Sequence, residues 1–330
     1  MTGAVWAAVS GIGFGLFQSI NRRTLEQMDV YRSTFLLLLI STGVLIAITA
    51  VVEDLSVISD ASAWALFNFA VAGLIHFYVG WPLLNASQKR IGAAKTSPLI
   101  STNPLFGTVI AAFTIQELPG VLTLIGLFVM MAGVYVVAAD QQRESPRNAV
   151  EPAVVPPLEG EAPAEAPPRN RGGLVRVVRS RADVLTGSAF GLGTALAWAV
   201  SPIPIVEGLK GLPSPLVGVS VSMVAAVAAY TISLIVRRQT KSGAQAQWGR
   251  GAWGWKAAAG VVVALATWFR WQALDHTSIA AVLALSLLAV PTVMVLAPIV
   301  AGRHLERVTP ALWFGAALVV GGGLLIILTP

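Results

Sequence analysis

The sequence has no cysteine and only three histidines, His76, His276 and His304. The lack of cysteine excludes a disulfide framework and any thiolate metal site. Three histidines spread over 330 residues do not form a convincing metal-binding cluster either. We therefore expect the protein to carry no metal and no cofactor.

Charged residues are also scarce, at 12% of the chain, about half their share in soluble proteins. Hydrophobic residues make up 55%, and the mean hydropathy is +0.74. These values are typical of a chain that lies largely in lipid. Windows of roughly 20 apolar residues predict an all-α polytopic protein of the cell membrane. Its ten transmembrane helices are expected at 3–21, 32–52, 62–84, 94–115, 120–139, 183–206, 213–236, 253–274, 279–300 and 309–328.

Several motifs of soluble or processed proteins are missing. The N-terminus lacks a basic segment and an A-x-A cleavage site, so we expect a retained first helix rather than a signal peptide. The glycines of "GIGFG" at 11–15 follow no strand and therefore indicate helix packing rather than a phosphate cradle. Paired catalytic carboxylates and nucleophile–base spacings are missing too, which argues against an enzyme.

A segment rich in Pro, Glu, Ala and Arg occupies residues 140–182. It holds few large apolar residues and cannot bury enough surface to offset chain entropy, so we predict a disordered cytoplasmic linker. A tether between two halves, 1–139 and 183–330, is the favoured interpretation. A regulatory or partner-binding segment is the alternative.

The two halves share an order of features. "WPLLN" at 81–85 corresponds to "WQALD" at 271–275, and "GAAKTSPLISTNP" at 92–104 corresponds to "IAAVLALSLLAVP" at 279–291. Glu117 and Glu306 then each precede a glycine-containing helix. An odd number of helices per copy makes the second copy enter the membrane upside down. The sequence therefore predicts two inverted five-helix repeats, as in many secondary transporters.

Lysine and arginine are sorted between the predicted loops. Twenty of the 22 lie in the linker and in the loops that follow helices 1, 3, 7 and 9. Only Lys210 and Arg270 belong to the other side. The positive-inside rule then places both termini outside the cytoplasm. It also explains the net charge of +6 without a nucleic-acid partner.

Taken in order, these duplicated motifs resemble the drug/metabolite transporter superfamily, and the ten-helix EamA-type branch fits best. The resemblance implies a carrier of small metabolites or drugs, often an exporter, that works by alternating access. It also implies a central cavity lined mainly by helices 1, 3, 4, 6, 8 and 9. The family usually has both termini in the cytoplasm, whereas the charges here indicate the opposite. The second copy of the fourth-helix motif also carries fewer polar groups than the first.

Polar side chains inside the predicted spans are candidates for substrate binding, because unpaired polar groups are costly in lipid. Pro104 and Pro291 are expected to kink their helices and free backbone carbonyls. Glu117 and Glu306, at helix ends, are expected to serve the fold or gating. The substrate-binding candidates are Gln18, His76, Ser101, Asn103, Trp198, Trp268, Arg270 and Ser286.

Two of these candidates have competing interpretations. His76 is either a proton carrier or a neutral imidazole bonded to a neighbour. Arg270 is either a cavity cation that holds an anionic group, flanked by Trp268 and Trp271, or a side chain that reaches the membrane surface. Similarly, the "SPLISTNP" stretch is either a binding element or a kink satisfied by neighbouring helices.

The sequence thus predicts a secondary active exporter of a small-molecule solute in the lipid bilayer, with protons as the candidate coupling ion. The alternative is a membrane sensor or accessory subunit that signals through the linker. Substrate identity and oligomeric state are left open.

Overall fold

The computed structural model describes residues 3–59, 61–114, 120–144, 181–236 and 250–328. Within these ranges the chain is helical apart from short connections, and no strand occurs. Nine helical stretches of this part of the chain are long and apolar enough to cross a membrane. The prediction of an all-helical, multi-pass membrane protein is therefore confirmed. The number of ten spans and their arrangement as inverted repeats remain predictions.

The helices of the first half alternate between long single rods and spans made of two pieces. They are α1 (Gly3–Leu25), α2 (Val30–Val52), α3 (Ala63–Gly73), a wide π-helical segment (Leu74–Gly80), α4 (Trp81–Ile91), α5 (Ala93–Ile100), α6 (Asn103–Thr114) and α7 (Val121–Glu144). A short 3-10 turn, Leu55–Ile58, lies between α2 and α3.

The second half follows the same alternation. Its helices are α8 (Arg181–Val200), α9 (Pro202–Gly211), α10 (Pro215–Val236), α11 (Arg250–His276), α12 (Ile279–Ser286), α13 (Ala289–Val300) and α14 (Pro310–Leu328). The linker predicted over 140–182 lies outside the described residues except at its ends, which are helical. Glu117 also lies outside them.

The span predicted at 94–115 is interrupted. Helices α5 and α6 have 8 and 12 residues, and a turn at Ser101 and Thr102 separates them. The hydroxyl of Thr102 donates to the carbonyl of Leu99 at 2.7 Å and so satisfies one backbone acceptor of the broken helix. Because a proline has no N–H and its ring clashes with the carbonyl four residues earlier, Pro104 favours a break at this position.

The corresponding span of the second half is interrupted in the same way. Helix α12 ends at Ser286 and α13 begins at Ala289, two residues before Pro291. The N-terminus of α12 is capped by Ser278, whose hydroxyl accepts from the backbone N–H of Ala281 at 3.2 Å. Both segments with the predicted proline kinks are therefore pairs of short helices.

Two further interruptions were not predicted. A π-helical segment replaces the α-helix over Leu74–Gly80, and Pro82 follows after one intervening residue. The sixth predicted span divides at Ser201, directly before Pro202. In each case the missing N–H and the ring of proline disturb the preceding turn. Wide π turns occur often at functional sites.

The distribution of buried and exposed side chains is that of a protein in lipid. Large apolar side chains such as Phe128, Tyr135 and Ile299 are exposed on the outside of the bundle, whereas polar side chains such as Gln18 and Gln88 are fully buried. Exposed apolar surface on this scale is unfavourable in water. A bilayer provides the apolar surroundings that this surface requires.

Contacts between helices repeat across the two halves. Helix α1 packs along α11, and α4 packs along α8, while α7 pairs with α14 and α2 with α10. Helices α7 and α14 approach closely through Gly126, Gly133, Gly315 and Gly322. A β-carbon on Gly133 would lie only 2.7 Å from the carbonyl oxygen of Gly315. The small residues thus allow the two backbones to touch.

Basic residues from separate loops gather at one end of the bundle. Lys89, near the end of α4, donates to the carbonyl of Met28 at 2.6 Å. The guanidinium of Arg23 lies 4.6 Å from the centre of the Trp255 ring and also donates to the carbonyl of Val300 at 3.0 Å. We call this side of the molecule the basic end.

Candidate functional site

A small cavity, with about 30 Å³ of space for water-sized molecules, lies in the middle of the bundle. It is lined by α1, the π-helical segment, the α5–α6 break, α8, α11 and the α12–α13 break. These belong to the predicted spans 1, 3, 4, 6, 8 and 9. The lining residues are Phe14, Gln18, His76, Ile100, Ser101, Asn103, Trp198, Arg270, Ser286, Leu287 and Ala289.

The interruptions of the spans meet at this cavity. Ser101 and Asn103 lie at the α5–α6 break, Ser286 and Leu287 lie at the α12–α13 break, and His76 lies in the π-helical segment. Non-helical backbone at membrane depth is tolerated where it is buried in protein or lines a cavity. The breaks therefore expose polar groups to the cavity.

Arg270 is buried in the lining, with only 4% of its surface exposed. Its Nη1 donates to the Ser286 hydroxyl at 2.8 Å, and that hydroxyl donates to the carbonyl of Val282 at 2.6 Å. Its Nε and Nη2 are buried without a hydrogen-bond partner among the described residues. Arg270 is therefore enclosed in the bundle and lines the cavity, which favours the interpretation as a cavity cation.

His76 is held on two sides in the same cavity. Its Nδ1 forms a 2.8 Å hydrogen bond with the Ser201 hydroxyl. Its ring stacks on Trp198, with centroids 5.1 Å apart and planes within 8°, and the Trp198 indole N–H donates to its backbone carbonyl at 3.3 Å. The Nε2 atom is buried and has no partner among the described residues. The structure therefore fixes the ring and leaves one nitrogen available.

Gln18 and the aromatic residues complete the walls. Gln18 accepts a 3.3 Å hydrogen bond from Gln88 on its Oε1, while its Nε2 is buried without a partner in the described part of the chain. Phe14 lies beside Trp198, with ring centroids 5.8 Å apart. The cavity thus combines an aromatic wall with unused hydrogen-bond donors.

The structure brings seven of the eight substrate-binding candidates into this one lining. Trp268 is the exception, because it packs against Phe269 beside the cavity rather than in it. Four lining residues were not anticipated. Phe14, Ile100, Leu287 and Ala289 are apolar residues in apolar helices, and only the folded arrangement shows which of them face a cavity.

A buried polar network lies between the cavity and the basic end. Lys256 donates to the Asn21 side-chain oxygen at 2.8 Å and to the Ser33 hydroxyl at 2.6 Å. Asn21 in turn donates to the side-chain oxygens of Asn85 at 2.7 Å and Gln88 at 3.2 Å. Because Gln88 also donates to Gln18, hydrogen bonds connect Lys256 to the cavity lining.

Glu306 lies beside this network and caps helix α5. Its two carboxylate oxygens accept from the backbone N–H groups of Ala93 and Ala94 at 2.8 and 2.9 Å. Arg22 donates to the same carboxylate at 2.8 Å. A carboxylate at a helix N-terminus is favoured by the helix dipole. The sequence placed Glu306 at the end of the ninth span but could not identify the helix that it contacts.

Comparison with known protein families finds a match near the N-terminus of the chain. Residues 1–139 match the EamA-like transporter family. This family belongs to the drug/metabolite transporter superfamily, so the resemblance seen in the sequence is confirmed. The matched EamA-like residues coincide with the first predicted repeat.

Comparison with whole proteins adds information on the fold. No curated protein matches the chain. A protein of known crystal structure superposes on this chain with a TM-score of 0.58, over 97% of each chain and with 17% sequence identity. A likeness at this identity establishes a shared fold and carries no information on substrate.

Proposed function

We propose that the protein is a secondary active carrier that exports a small organic solute by alternating access. The observation that carries this proposal is the cavity at which interrupted helices from both halves meet. Cavities at the junction of two repeats, formed by broken helices, are typical of secondary transporters. In this scheme Gln18, His76, Ser101, Asn103 and the other lining side chains contact the solute.

The arrangement of helices supports ten spans in two inverted repeats. Helix pairs α1–α11 and α4–α8 would be equivalent under a two-fold axis in the membrane plane, and α7–α14 and α2–α10 would lie across that axis. The breaks before Pro104 and Pro291 fall at matching positions. In the proposed cycle these two prolines act as hinges between the halves.

The polar network supports a gate at the basic end. The Arg22–Glu306 pair and the Lys256–Asn21 hydrogen bond lie between the cavity and that end, so both must open before a solute can enter from there. Basic residues at this end support a cytoplasmic orientation. Gly3, near the N-terminus, packs against Thr277 at the opposite end, which supports an outside N-terminus.

Energy would come from an ion gradient rather than from nucleotide hydrolysis. We propose protons as the coupling ion and His76 as the residue that carries them. Its unpartnered Nε2 in the cavity lining supports this role. Solute flux into proteoliposomes, with and without a pH gradient, tests the proposal. Absence of flux for every member of a broad panel of small metabolites would overturn the carrier function.

Deletion of residues 145–170 separates this function from signalling through the linker. A carrier keeps its flux after the deletion, because the residues around the cavity are unchanged. A sensor that signals through the linker loses its response. Intact flux in the deletion variant therefore counts against the sensor.

A further inference from the structure

We infer that the solute is an organic anion, and that Arg270 binds its carboxylate in the central cavity. The inference rests on the proposed function, because it names the substrate class of the same cavity. It is carried by the charge balance of the lining and by the hydrogen-bond donors that have no protein partner.

The charge of Arg270 has no counter-charge in the described part of the chain. No ion pair joins its guanidinium to a carboxylate, and the described residues of the lining include no aspartate or glutamate. Glu306 is occupied by Arg22 and by helix α5. A buried charge without a partner is strongly unfavourable. An anionic solute in the cavity would supply the missing charge.

The unused nitrogens of Arg270 also have the geometry that a carboxylate requires. Nη1 is occupied by Ser286, which leaves Nε and Nη2 free. These two atoms share one edge of the planar guanidinium and present two parallel N–H groups. That edge matches the two oxygens of a carboxylate in a bidentate pair. A neutral carbonyl would engage only one of the two N–H groups.

Two further lining atoms have no partner among the described residues, Gln18 Nε2 and His76 Nε2. Gln18 Nε2 is a donor, because the Gln18 oxygen already accepts from Gln88, whereas His76 Nε2 donates or accepts according to the tautomer. The described lining therefore offers mainly donors to a solute, and none of its residues is a carboxylate that would hold an amine. Apolar walls alone would admit organic cations as well as organic acids. The excess of donors over acceptors in the lining favours the acids.

The apolar walls indicate an organic rather than an inorganic anion. Phe14, Ile100, Trp198 and Leu287 all contribute to the lining. In this arrangement the free space is only about 30 Å³, close to the room that one water molecule takes up, so an organic solute binds after the cavity has widened in the proposed cycle. A carboxylate attached to an aromatic or branched apolar group satisfies both the guanidinium and the walls.

The test measures binding to the purified full-length protein with matched probes. Phenylacetate, 3-phenylpropionate and indole-3-acetate are each compared with the corresponding amide, and phenylacetate also with 2-phenylethylamine and inorganic phosphate. Thermal stabilisation in a concentration series gives the apparent affinity. We expect at least one acid to bind at least tenfold more tightly than its amide, and the amine and phosphate not to bind.

Variants assign the effect to Arg270. Arg270→Gln is expected to abolish the preference for the acid, and Arg270→Lys to weaken acid binding at least tenfold, because an ammonium lacks the bidentate edge. Ser286→Ala provides a milder variant in case the Arg270 variants fail to fold, and it should weaken acid binding severalfold. Lys210→Gln, at an exposed cation paired with Glu207, is the matched control and should change nothing.

Three results would overturn the inference: amides or the amine bind as well as the acids, phosphate alone binds, or acid binding survives in Arg270→Gln. Flux assays distinguish this failure from failure of the carrier. If acids bind through Arg270 but no solute crosses the membrane, the carrier proposal fails and the site stands. If neutral or cationic solutes cross independently of Arg270, the carrier stands and the inference fails.

Discussion

Arg22 and Glu306 form a buried ion pair that joins the two halves of the chain, with 2.8 Å between Nε and Oε1. Arg22 lies near the end of α1, and Glu306 lies between α13 and α14. Through its bonds to Ala93 and Ala94, Glu306 also holds the N-terminus of α5. Because removing both charges from solvent is costly, such a pair is better explained by specifying an arrangement than by adding stability.

Glu306→Gln is expected to destabilise the protein strongly. The amide cannot neutralise Arg22, which then keeps only the partly exposed Glu26 as an ionic partner, and its NH₂ group cannot accept from Ala93 or Ala94. Breaking one partner of a buried pair typically costs about 3–5 kcal/mol. The melting temperature in detergent measures the effect. Glu207→Gln is the control, because the exposed Glu207–Lys210 pair should contribute less than about 1 kcal/mol. Equal melting temperatures of the two variants would contradict a structural role for the Arg22–Glu306 pair.

Gly322→Ala is expected to destabilise the α7–α14 contact. A β-carbon there would lie 2.6 Å from the carbonyl oxygen of Gly126 and equally close to the Met130 nitrogen, both of them backbone atoms. The helices must move apart to make room for it. Overpacking of a protein core typically costs about 1–3 kcal/mol of stability, and we expect a loss of the same size here. Gly321→Ala is the adjacent control, because nothing lies within 4 Å of its β-carbon position. Comparable melting temperatures for the two alanine variants would show that the contact is unimportant.

Much of the fold could be predicted because lipid imposes simple rules. Long apolar stretches marked most of the spans. The cavity residues were found for a related reason. Polar residues such as His76, Asn103 and Ser286 are costly in lipid unless they face protein or a cavity. Their presence inside apolar helices was therefore informative.

The rest depended on tertiary contacts that no local pattern contains. Lys256 and Arg22 were assigned to loops by their charge, although both are buried between helices. Arg22, the partner of Glu306, is 284 residues away in the sequence and could not be inferred from spacing. The π-helical segment was missed because its residues resemble those of an ordinary helix. Only Pro82, two residues after its end, gave a signal.

Asn103→Ala is expected to lower transport while the protein still folds. Asn103 lines the cavity at the start of α6, so its loss removes one polar contact to the solute. A reduction of about tenfold in flux corresponds to about 1.4 kcal/mol. Thr108→Ala is the control in the same helix, because the Thr108 hydroxyl donates to the Pro104 carbonyl rather than lining the cavity. Unchanged flux in Asn103→Ala would show that the α5–α6 break is a structural kink and not a binding element.

Lys256→Met is expected to open the cavity towards the basic end. The ammonium of Lys256 holds Asn21 of α1 and Ser33 of α2 against α11. Methionine keeps the apolar stem but donates no hydrogen bond. The side-chain oxygens of Asn21 and Ser33 then each lose a buried donor, which costs about 1–3 kcal/mol of stability per oxygen. The closed arrangement at this end then becomes less favourable, and the population of the open one rises.

A unique cysteine label measures this opening directly. Because the sequence contains no cysteine, Ser101→Cys places the only thiol in the cavity lining. A membrane-impermeant maleimide added from the basic end should label it slowly in the otherwise unchanged protein and at least tenfold faster with Lys256→Met. Lys210→Met, at an exposed position, is the control and should leave the rate unchanged. Equal labelling with and without Lys256 would show that the network does not close this side, because access to Ser101 would then be independent of the bonds that Lys256 makes.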